Sequence, residues 1–529
     1  PGAASGLRAQ QLQRALADAP TRVLLAREEA AGEALQHALQ RCFEGGGRGA
    51  LWLRGEDLEG LPEPLRAAWA SRLGRLAFWR RAEFCVPASR DAMNRVMPFC
   101  HSAPTRARLF DAYHSGAAAG AHGAALELLR ARRELAEQLG FASWAAMELR
   151  ALCPGADTPA AARALLDRCW QEARPAVAPL VVGMNDLAAA ARGTGAGRPA
   201  PPHGVDQCDE ELLRARASRG CEPWRLAEFL PAASTVPRLL DVVGRLFAVV
   251  LHERPSGPGE WHPSVRVLEV LEGPHDRAAA AGAVGGRRLG FIYLDLERRR
   301  GVVERLLGAR THPSGMLRGV ELLGDGHVYV GMDSESASLG HAKLLSPQEA
   351  VGLAHELGMA VHALCFKGPL SDFEDLPPDM RALPAALSAA VAAHPGVVGE
   401  YARHHAHGGA PPQALLGAGQ QGLFCILRQL QSASVTLGLH DEGFDPHAAT
   451  PNDLHAAAVE LWQRYSPVQA RPAFTPLGDE AGVQLRAGLE QVSQLVCGLR
   501  VDSILHGAPQ RHGAAAHARV ARGRQRRRR

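Results

Sequence analysis

The sequence predicts a mainly α-helical protein with one small β-sheet. Apolar side chains recur at the three-to-four-residue spacing of amphipathic helices in the long stretches Gly123–Arg150, Thr158–Arg192 and Leu454–Tyr465. Strand patterns, rich in β-branched and aromatic residues, are confined to Val265–Val270, Leu289–Leu296 and His327–Met332. Apolar residues make up 46% of the 529-residue chain, which is enough for a sizeable core.

A further helix is predicted to begin at Pro347, shortly after the last predicted strand. Proline is favoured at the first helical position, and Ser346 before it is a preferred N-cap residue. Glu349 stands at the third helical position, so Ser346 and Glu349 form a capping box. The apolar surface of this helix consists of Ala350, Val351, Leu353, Ala354, Leu357, Ala360, Val361 and Leu364.

The capped helix carries His355-Glu356-Leu357-Gly358-Met359, which is one residue short of a zinc-protease pattern. In H-E-x-x-H, two imidazoles one turn apart bind one Zn²⁺, and the glutamate acts on the zinc-bound water as general base. Here Met359 replaces the second histidine, and a thioether suits Cu(I) better than hydrolytic zinc. The pattern predicts an ancestral zinc site in which Glu356 was the general base and is now inactive.

Six segments follow one another along the chain in a fixed order. They are Phe110–Ser115, Arg133–Ala145, Leu289–Leu296, Leu345–His362, Ser371–Phe373 and Tyr401–His405. The series resembles the motifs of the thimet oligopeptidase and mitochondrial intermediate peptidase family of zinc metallopeptidases, from about residue 85 to about residue 505. The resemblance implies a large two-lobed helical body of the oligopeptidase (zincin) type, with a small β-sheet beside the active-site helix.

The sequence differs from this family at the positions that carry the family's catalytic chemistry. Its third zinc ligand, the glutamate of D-F-x-E, corresponds to Asp375, and a further family glutamate corresponds to Ala382. Its F-x-H-L-x-x-Y segment corresponds to Phe474–Glu480, in which Pro476 replaces the histidine and Glu480 the tyrosine. Tyrosine hydroxyls of this region stabilise the oxyanion in the family. Loss of one such donor lowers turnover by about 10²–10³-fold.

A repaired metal site is the alternative. His355 with Asp375 and Glu374 could hold zinc, with the Met359 sulfur as a fourth ligand. His362 cannot join His355, because it lies two turns away, about 10 Å along the helix axis. Both histidines are otherwise explained as partly buried helix residues, and Met359 as an adaptable core side chain.

The last nineteen residues form a basic tail without any acidic residue. Its eight arginines are Arg511, Arg519, Arg522, Arg524, Arg526, Arg527, Arg528 and Arg529. Because the whole chain has a formal charge of +4, removing these eight positive charges leaves −4 on the remainder. Such a tail suits RNA phosphates or an acidic protein surface. A nonspecific disordered tail is the alternative.

Composition excludes some classes of protein. The ten cysteines are scattered without C-x-x-C pairs, which argues against a disulfide framework and against a cysteine-based metal site. No apolar run reaches the length of a membrane span. The run Leu239–Leu251 comes nearest, and Asp241 and Arg245 interrupt it.

The predicted organisation has three parts: residues 1–84 as an N-terminal helical segment, 85–508 as a degenerate oligopeptidase-like body, and 509–529 as a tail that is disordered or ordered by RNA. The predicted function is an inactive homologue, a pseudopeptidase, without a cofactor. It would serve as a structural subunit of a larger ribonucleoprotein assembly in the mitochondrial matrix. The alternative is an active zinc oligopeptidase that cleaves short peptides or presequences, and the alternative location is the cytoplasm.

Overall fold

The computed structural model describes residues 18–44, 50–61, 66, 69–70, 84–152, 156–193, 205–217, 223–255, 262–273, 286–297, 318–324, 326–332, 338–339, 342–374, 376–416, 420–478 and 485. The helices are α1 Ala19–Glu44, α2 Arg90–Val96, α3 Ala103–Gln138, α4 Trp144–Leu152, α5 Pro159–Gly193, α6 Glu210–Ala217, α7 Pro223–Ala227, α8 Ala232–Phe247, α9 Pro347–Cys365, α10 Leu370–Glu374, α11 Pro378–Ala393, α12 Pro395–Tyr401, α13 Gln413–Leu416, α14 Gln420–Leu439 and α15 Pro451–Gln463. The strands are β1 Ala50–Leu53, β2 Phe84–Pro87, β3 Val249–Arg254, β4 Arg266–Glu272, β5 Arg288–Asp295, β6 Arg318–Gly324, β7 His327–Met332, β8 Ser338–Leu339 and β9 Ala342–Lys343. The protein is therefore mainly α-helical, as predicted.

The chain divides into two compact units. One contains residues 1–222 and 420–493, and the other contains residues 223–419 and 494–529. The boundaries predicted from the sequence near residues 84 and 508 stay predictions. The predicted tail, residues 509–529, lies outside the described part of the chain.

The first unit is built on the long helix α3. Ser102 caps its N-terminus by accepting a hydrogen bond from the Thr105 N–H. The helix ends before Gly140, which adopts a φ of +80° that glycine tolerates best. The stretch predicted as helical from Gly123 to Arg150 is thus two helices, α3 and α4. Helices α1 and α15 pack against α3 around a large apolar core.

A buried polar network joins α3 to the end of α14 in the same unit. Arg132 on α3 donates from Nη1 to His440 Nε2 at 3.0 Å, and His440 Nδ1 lies 2.8 Å from the Thr436 carbonyl oxygen. The backbone N–H of Ala145, on α4, donates to the His440 carbonyl. These contacts satisfy polar groups that burial would otherwise leave unpaired.

The second unit contains a five-stranded sheet in the order β3-β4-β5-β7-β6. Strands β5 and β7 run parallel, and the other neighbours are antiparallel. The predictions of β4, β5 and β7 are confirmed. The sequence did not predict β3 and β6, which lie at the two edges. Edge strands tolerate exposed charged side chains, here Glu253 and Arg254 on β3, and this weakens their strand pattern.

Helices cover one face of this sheet and set the position of α9. Ile292, Leu294, Val328 and Val330 on the central strands belong to the same buried cluster as Leu353 and the other apolar residues of α9. Helices α8 and α11 also pack against α9. The core of this unit therefore surrounds α9, which fixes the orientation of each of its faces.

Within the described residues, no single helix is long and apolar enough to cross a membrane. The bent pair formed by Met380–Ala393 and Pro395–Tyr401 passes this test on length and composition only. Ala392, Val398 and Tyr401 of that pair belong to the buried core of the second unit.

Candidate metal centre

Helix α9 begins as the sequence predicts. The Glu349 N–H donates to Ser346 Oγ at 3.1 Å, and the Ser346 N–H donates to Glu349 Oε2 at 2.6 Å. Both contacts of the capping box are therefore present. They satisfy two of the unpaired N–H groups at the start of the helix and fix the residue at which α9 begins.

One stripe of α9 is less buried than the rest of the helix. Val351, His355, Met359 and Ala363 are half-buried and follow one another at intervals of four residues, whereas Leu353 and its apolar neighbours are fully buried. Residues four apart share one face of a helix, with a rise of about 6 Å between them. His355 and Met359 therefore occupy the face on which an H-E-x-x-H helix carries its metal.

His355 is paired with its neighbour in sequence. Its Nδ1 lies 3.1 Å from Glu356 Oε1, and the side chains are 32% and 10% exposed respectively. A proton on Nδ1 is donated to this carboxylate, which leaves the Nε2 lone pair available. The contact orients the ring and leaves one nitrogen that could bind a metal ion.

Gly358 allows α9 to approach α11 closely. A Cβ atom at this position would lie 2.7 Å from Ser388 Cβ, 2.9 Å from the Pro384 carbonyl oxygen and 3.0 Å from Ala385 Cα. Two of these atoms are backbone atoms, which cannot move without separating the helices. The glycine inside the zinc-helix pattern therefore has a packing function that does not depend on a metal.

Replacing Gly358 with alanine should lower the free energy of unfolding by about 1–3 kcal/mol, because the added methyl group overpacks the α9–α11 contact. Gly183→Ala in α5 is the matched control. A Cβ there meets no atom within 4 Å, so the higher helix propensity of alanine should stabilise the chain by about 0.5–1 kcal/mol. Urea unfolding of both variants measures the two effects. Equal changes in the same direction would contradict the packing function.

The His362 side chain, near the C-terminal end of the same helix, packs against neighbouring helices. Its Nδ1 lies 3.2 Å from the Arg381 carbonyl oxygen on α11, and Phe373 on α10 contacts its ring edge-on at 5.1 Å. Burial lowers the pKa of His362, and the hydrogen bond to Arg381 opposes that shift. The ring thus holds α9 against α10 and α11.

The other residues at the predicted ligand positions are Asp375 and Glu374. Asp375 lies outside the described residues, and Glu374 is exposed. In the described part of the chain, no group of three or more His, Cys, Asp or Glu side chains is arranged to hold a metal ion. The half-buried stripe of α9 supplies one imidazole and one thioether, whereas catalytic zinc takes three protein ligands, drawn from His, Asp, Glu or Cys, and a water. The described residues do not fit a catalytic zinc ion.

The segment that corresponds to the family's oxyanion donors is buried in the first unit. Thr475 is fully buried, and its Oγ1 lies 2.8 Å from His122 Nε2. Phe474 packs against Trp462 with ring centroids 4.6 Å apart, and Pro476 begins a 3-10 turn. The Thr475 hydroxyl is therefore already used within the core. Glu480, which replaces the family tyrosine, lies outside the described residues.

The comparison with protein families agrees with the order of motifs in the sequence. Residues 96–479, well over half of the chain, match the family model of Peptidase family M3. The chain belongs to this family. No curated protein matches it at a significant level.

M3 membership confirms the family resemblance that the sequence motifs showed. The periodicity of helix α9 correctly placed His355 and Met359 on one face. The packing partners of Gly358 and of His362 were not predicted, because they lie some 20–30 residues further along the chain. The eight tail arginines from Arg511 to Arg529 lie outside the described residues and stay a predicted binding segment.

Proposed function

We propose that this M3-family chain is a catalytically inactive peptidase homologue that serves as a structural subunit of a larger assembly. Met359 carries the proposal. It stands on the half-buried stripe of α9, one turn from His355, where the ancestral site needs an imidazole. A thioether at that position favours Cu(I) over the hydrolytic zinc of an active family member.

The changes around the site support the same proposal. Without a metal, Glu356 has no polarised water to deprotonate, and its carboxylate contacts His355 instead. The segment at Phe474 carries no tyrosine, and Thr475 is hydrogen-bonded to His122. Loss of both the metal ligand and the oxyanion donors removes two independent contributions to peptide hydrolysis.

A scaffold needs intact packing, and the packing supports such a function. The capping box of α9, the glycine contact with α11 and the buried apolar cluster around α9 are all present. None of them depends on a metal. These features fit a protein that keeps its fold without its catalytic activity.

The proposed partner is a ribonucleoprotein, and the proposed location is the mitochondrial matrix. The tail from Arg511 to Arg529 carries eight positive charges, while the remainder of the chain carries −4. RNA presents closely spaced phosphate charges, which suit a segment of eight arginines better than the −4 spread over the remaining body does.

An active zinc oligopeptidase is the second candidate, and one observation favours it. The contact between His355 Nδ1 and Glu356 leaves Nε2 free to accept a metal ion. In that case His355 and Asp375 would hold zinc with an altered ligand set, and the substrates would be short peptides or presequences.

Deleting residues 511–529 should leave folding intact and weaken association with RNA. On a single-stranded RNA, up to eight phosphate contacts give a slope of log affinity against log salt of roughly −6, which the deletion should remove. Binding of a single-stranded RNA probe at several salt concentrations, together with recovery of partners from mitochondrial extract, measures the effect. The matched variants replace the eight arginines with lysine, which should preserve the slope, or with glutamine, which should abolish it. Unchanged binding and slope after the deletion would contradict the proposed function of the tail.

A further inference from the structure

Residues 404–409, which we call the histidine turn, form a closed turn after α12 in the second unit. The His404 N–H donates to the Gly409 carbonyl at 2.8 Å, and the Gly408 N–H donates to the His404 carbonyl at 2.9 Å. Gly408 has a φ of +68°, in the left-handed region that favours glycine. Three of the six residues in this turn are histidines, and the metal centre uses none of them.

Two of these histidines hold the turn closed through the same ring nitrogen. The Ala406 N–H donates to His404 Nδ1 at 3.1 Å, and the Gly409 N–H donates to His407 Nδ1 at 3.1 Å. Each Nδ1 is an acceptor and therefore carries no proton. Each imidazole is consequently neutral, with its proton on Nε2.

The imidazole rings also stack on one another. The centroids of His404 and His407 are 3.9 Å apart with planes only 7° from parallel, and His405 also stacks on His404 at 4.7 Å. A Cβ on Gly409 would lie 2.8 Å from the His407 ring, so only glycine leaves enough space for the ring in this position. Neutral rings can stack in this way, whereas two adjacent imidazolium ions would repel one another.

Few other charges face the stack. Glu228 Oε2, just beyond α7, is 3.8 Å from His404 Nε2. The Arg403 guanidinium turns away to the carbonyls of Gly399 and Ala402, and Glu400 on α12 pairs with Arg245. Partial burial lowers the pKa of His404, and His407 and His405 lower it further, while Glu228 raises it.

The histidine turn is fastened to the body of the second unit by its backbone. The Arg403 N–H donates to the Phe229 carbonyl at 2.6 Å, and the His405 N–H donates to the Glu228 carbonyl at 2.9 Å. These two carbonyls directly follow α7, which packs against α9. The turn is therefore tied to the segment that follows a helix packed against α9.

We propose that the histidine turn is a pH-sensitive device, closed while His404 and His407 are neutral and opened when either Nδ1 takes up a proton. A protonated Nδ1 becomes a donor, so it then faces the backbone N–H group from which it previously accepted a hydrogen bond. Two donors cannot pair. The ring must then leave its position, and both the stack and the turn are lost. This conformation of the turn does not suit a metal ion. Each Nε2 carries the ring proton, so a metal bound there would displace that proton. Nδ1 cannot take up the proton while it accepts a backbone N–H group.

Amide hydrogen exchange of Ala406 and Gly409 tests the proposal, with protection factors corrected for the intrinsic rate at pH 8 and pH 5. A histidine of ordinary pKa 6.5 that is protonated only in the open turn shifts the equilibrium about 30-fold by pH 5. We expect both amides to lose protection by about 30-fold, and by up to about 10³-fold if both rings must be neutral. The Val330 amide in β7 reports whether the whole unit remains folded.

Asparagine variants separate titration from structure. In His404→Asn with His407→Asn, each amide oxygen can accept the same N–H group two residues on, but it does not titrate. This double variant should keep its protection at pH 5. His405→Asn is the matched control, because it removes a stacked ring and neither Nδ1 contact, and its pH dependence should remain. Equal wild-type protection at both pH values, or the same loss in the double variant, would overturn the proposal.

Discussion

Replacing Met359 with histidine should raise the affinity of the chain for Zn²⁺ by about 100-fold or more. The change places a second imidazole one turn from His355, on the same half-buried stripe of α9. Loss of a residue that merely orients a ligand costs about 10–100-fold in affinity, so restoring a ligand should have at least that effect. Asp375 would complete the set. Zinc titration by calorimetry measures the change.

Two further variants make this result specific. Ala363→His adds an imidazole to the same stripe two turns from His355, beyond the reach of one zinc ion, and should leave the affinity unchanged. Adding His355→Ala to the Met359→His variant should remove the gain. Peptidase activity should stay low in every variant because the tyrosine donors are absent. Strong hydrolysis by Met359→His alone would show that the C-terminal segment does not limit activity.

Acid should destabilise the first unit because it contains buried neutral histidines. Burial, together with the adjacent Arg132 charge, lowers the pKa of His440 to about 3, although the hydrogen bond to Thr436 opposes the shift. Burial and the neighbouring His455 lower the pKa of His122 to about 4. In the unfolded chain both histidines titrate near 6.5.

Below pH 6.5 the unfolded chain therefore binds more protons than the native chain, and stability falls as the pH falls. The slope is about 1.4 kcal/mol per pH unit for each histidine, or nearly 3 kcal/mol per pH unit for both near pH 5. Stability should be flat above about pH 7.5. Urea unfolding at a series of pH values gives the slope, and His122→Gln should reduce it by about half. A constant free energy of unfolding from pH 7 to pH 5 would contradict these two assignments.

Local signals in the sequence were sufficient for α9. Its cap, its first residue and its apolar face depend on residues within four positions of one another, and the structure has all three as predicted. The central strands β4 and β5 were predicted because their alternating or apolar pattern is strong. The edge strands β3 and β6 were not predicted, because exposed positions and charged residues weaken the alternation of apolar and polar side chains.

The features that the sequence did not predict depend on contacts between distant residues. Gly358 contacts Ser388, and His362 Nδ1 contacts the Arg381 carbonyl; no spacing within α9 specifies either partner. The break between α3 and α4 lies in a stretch whose apolar periodicity continues through Gly140. Gly140 ends α3 with a positive φ, and Ser143 begins α4 by accepting a hydrogen bond from the Ala146 N–H.

Zinc content tests the loss of the catalytic metal centre most directly. The full chain, purified without chelators and dialysed against micromolar zinc, is analysed by mass spectrometry of its metals beside an active member of Peptidase family M3. We expect far less than one zinc per chain here and about one in the active enzyme, because the half-buried stripe of α9 supplies a single imidazole. One tightly held zinc per chain, removed by a chelator together with peptide cleavage, would contradict the account.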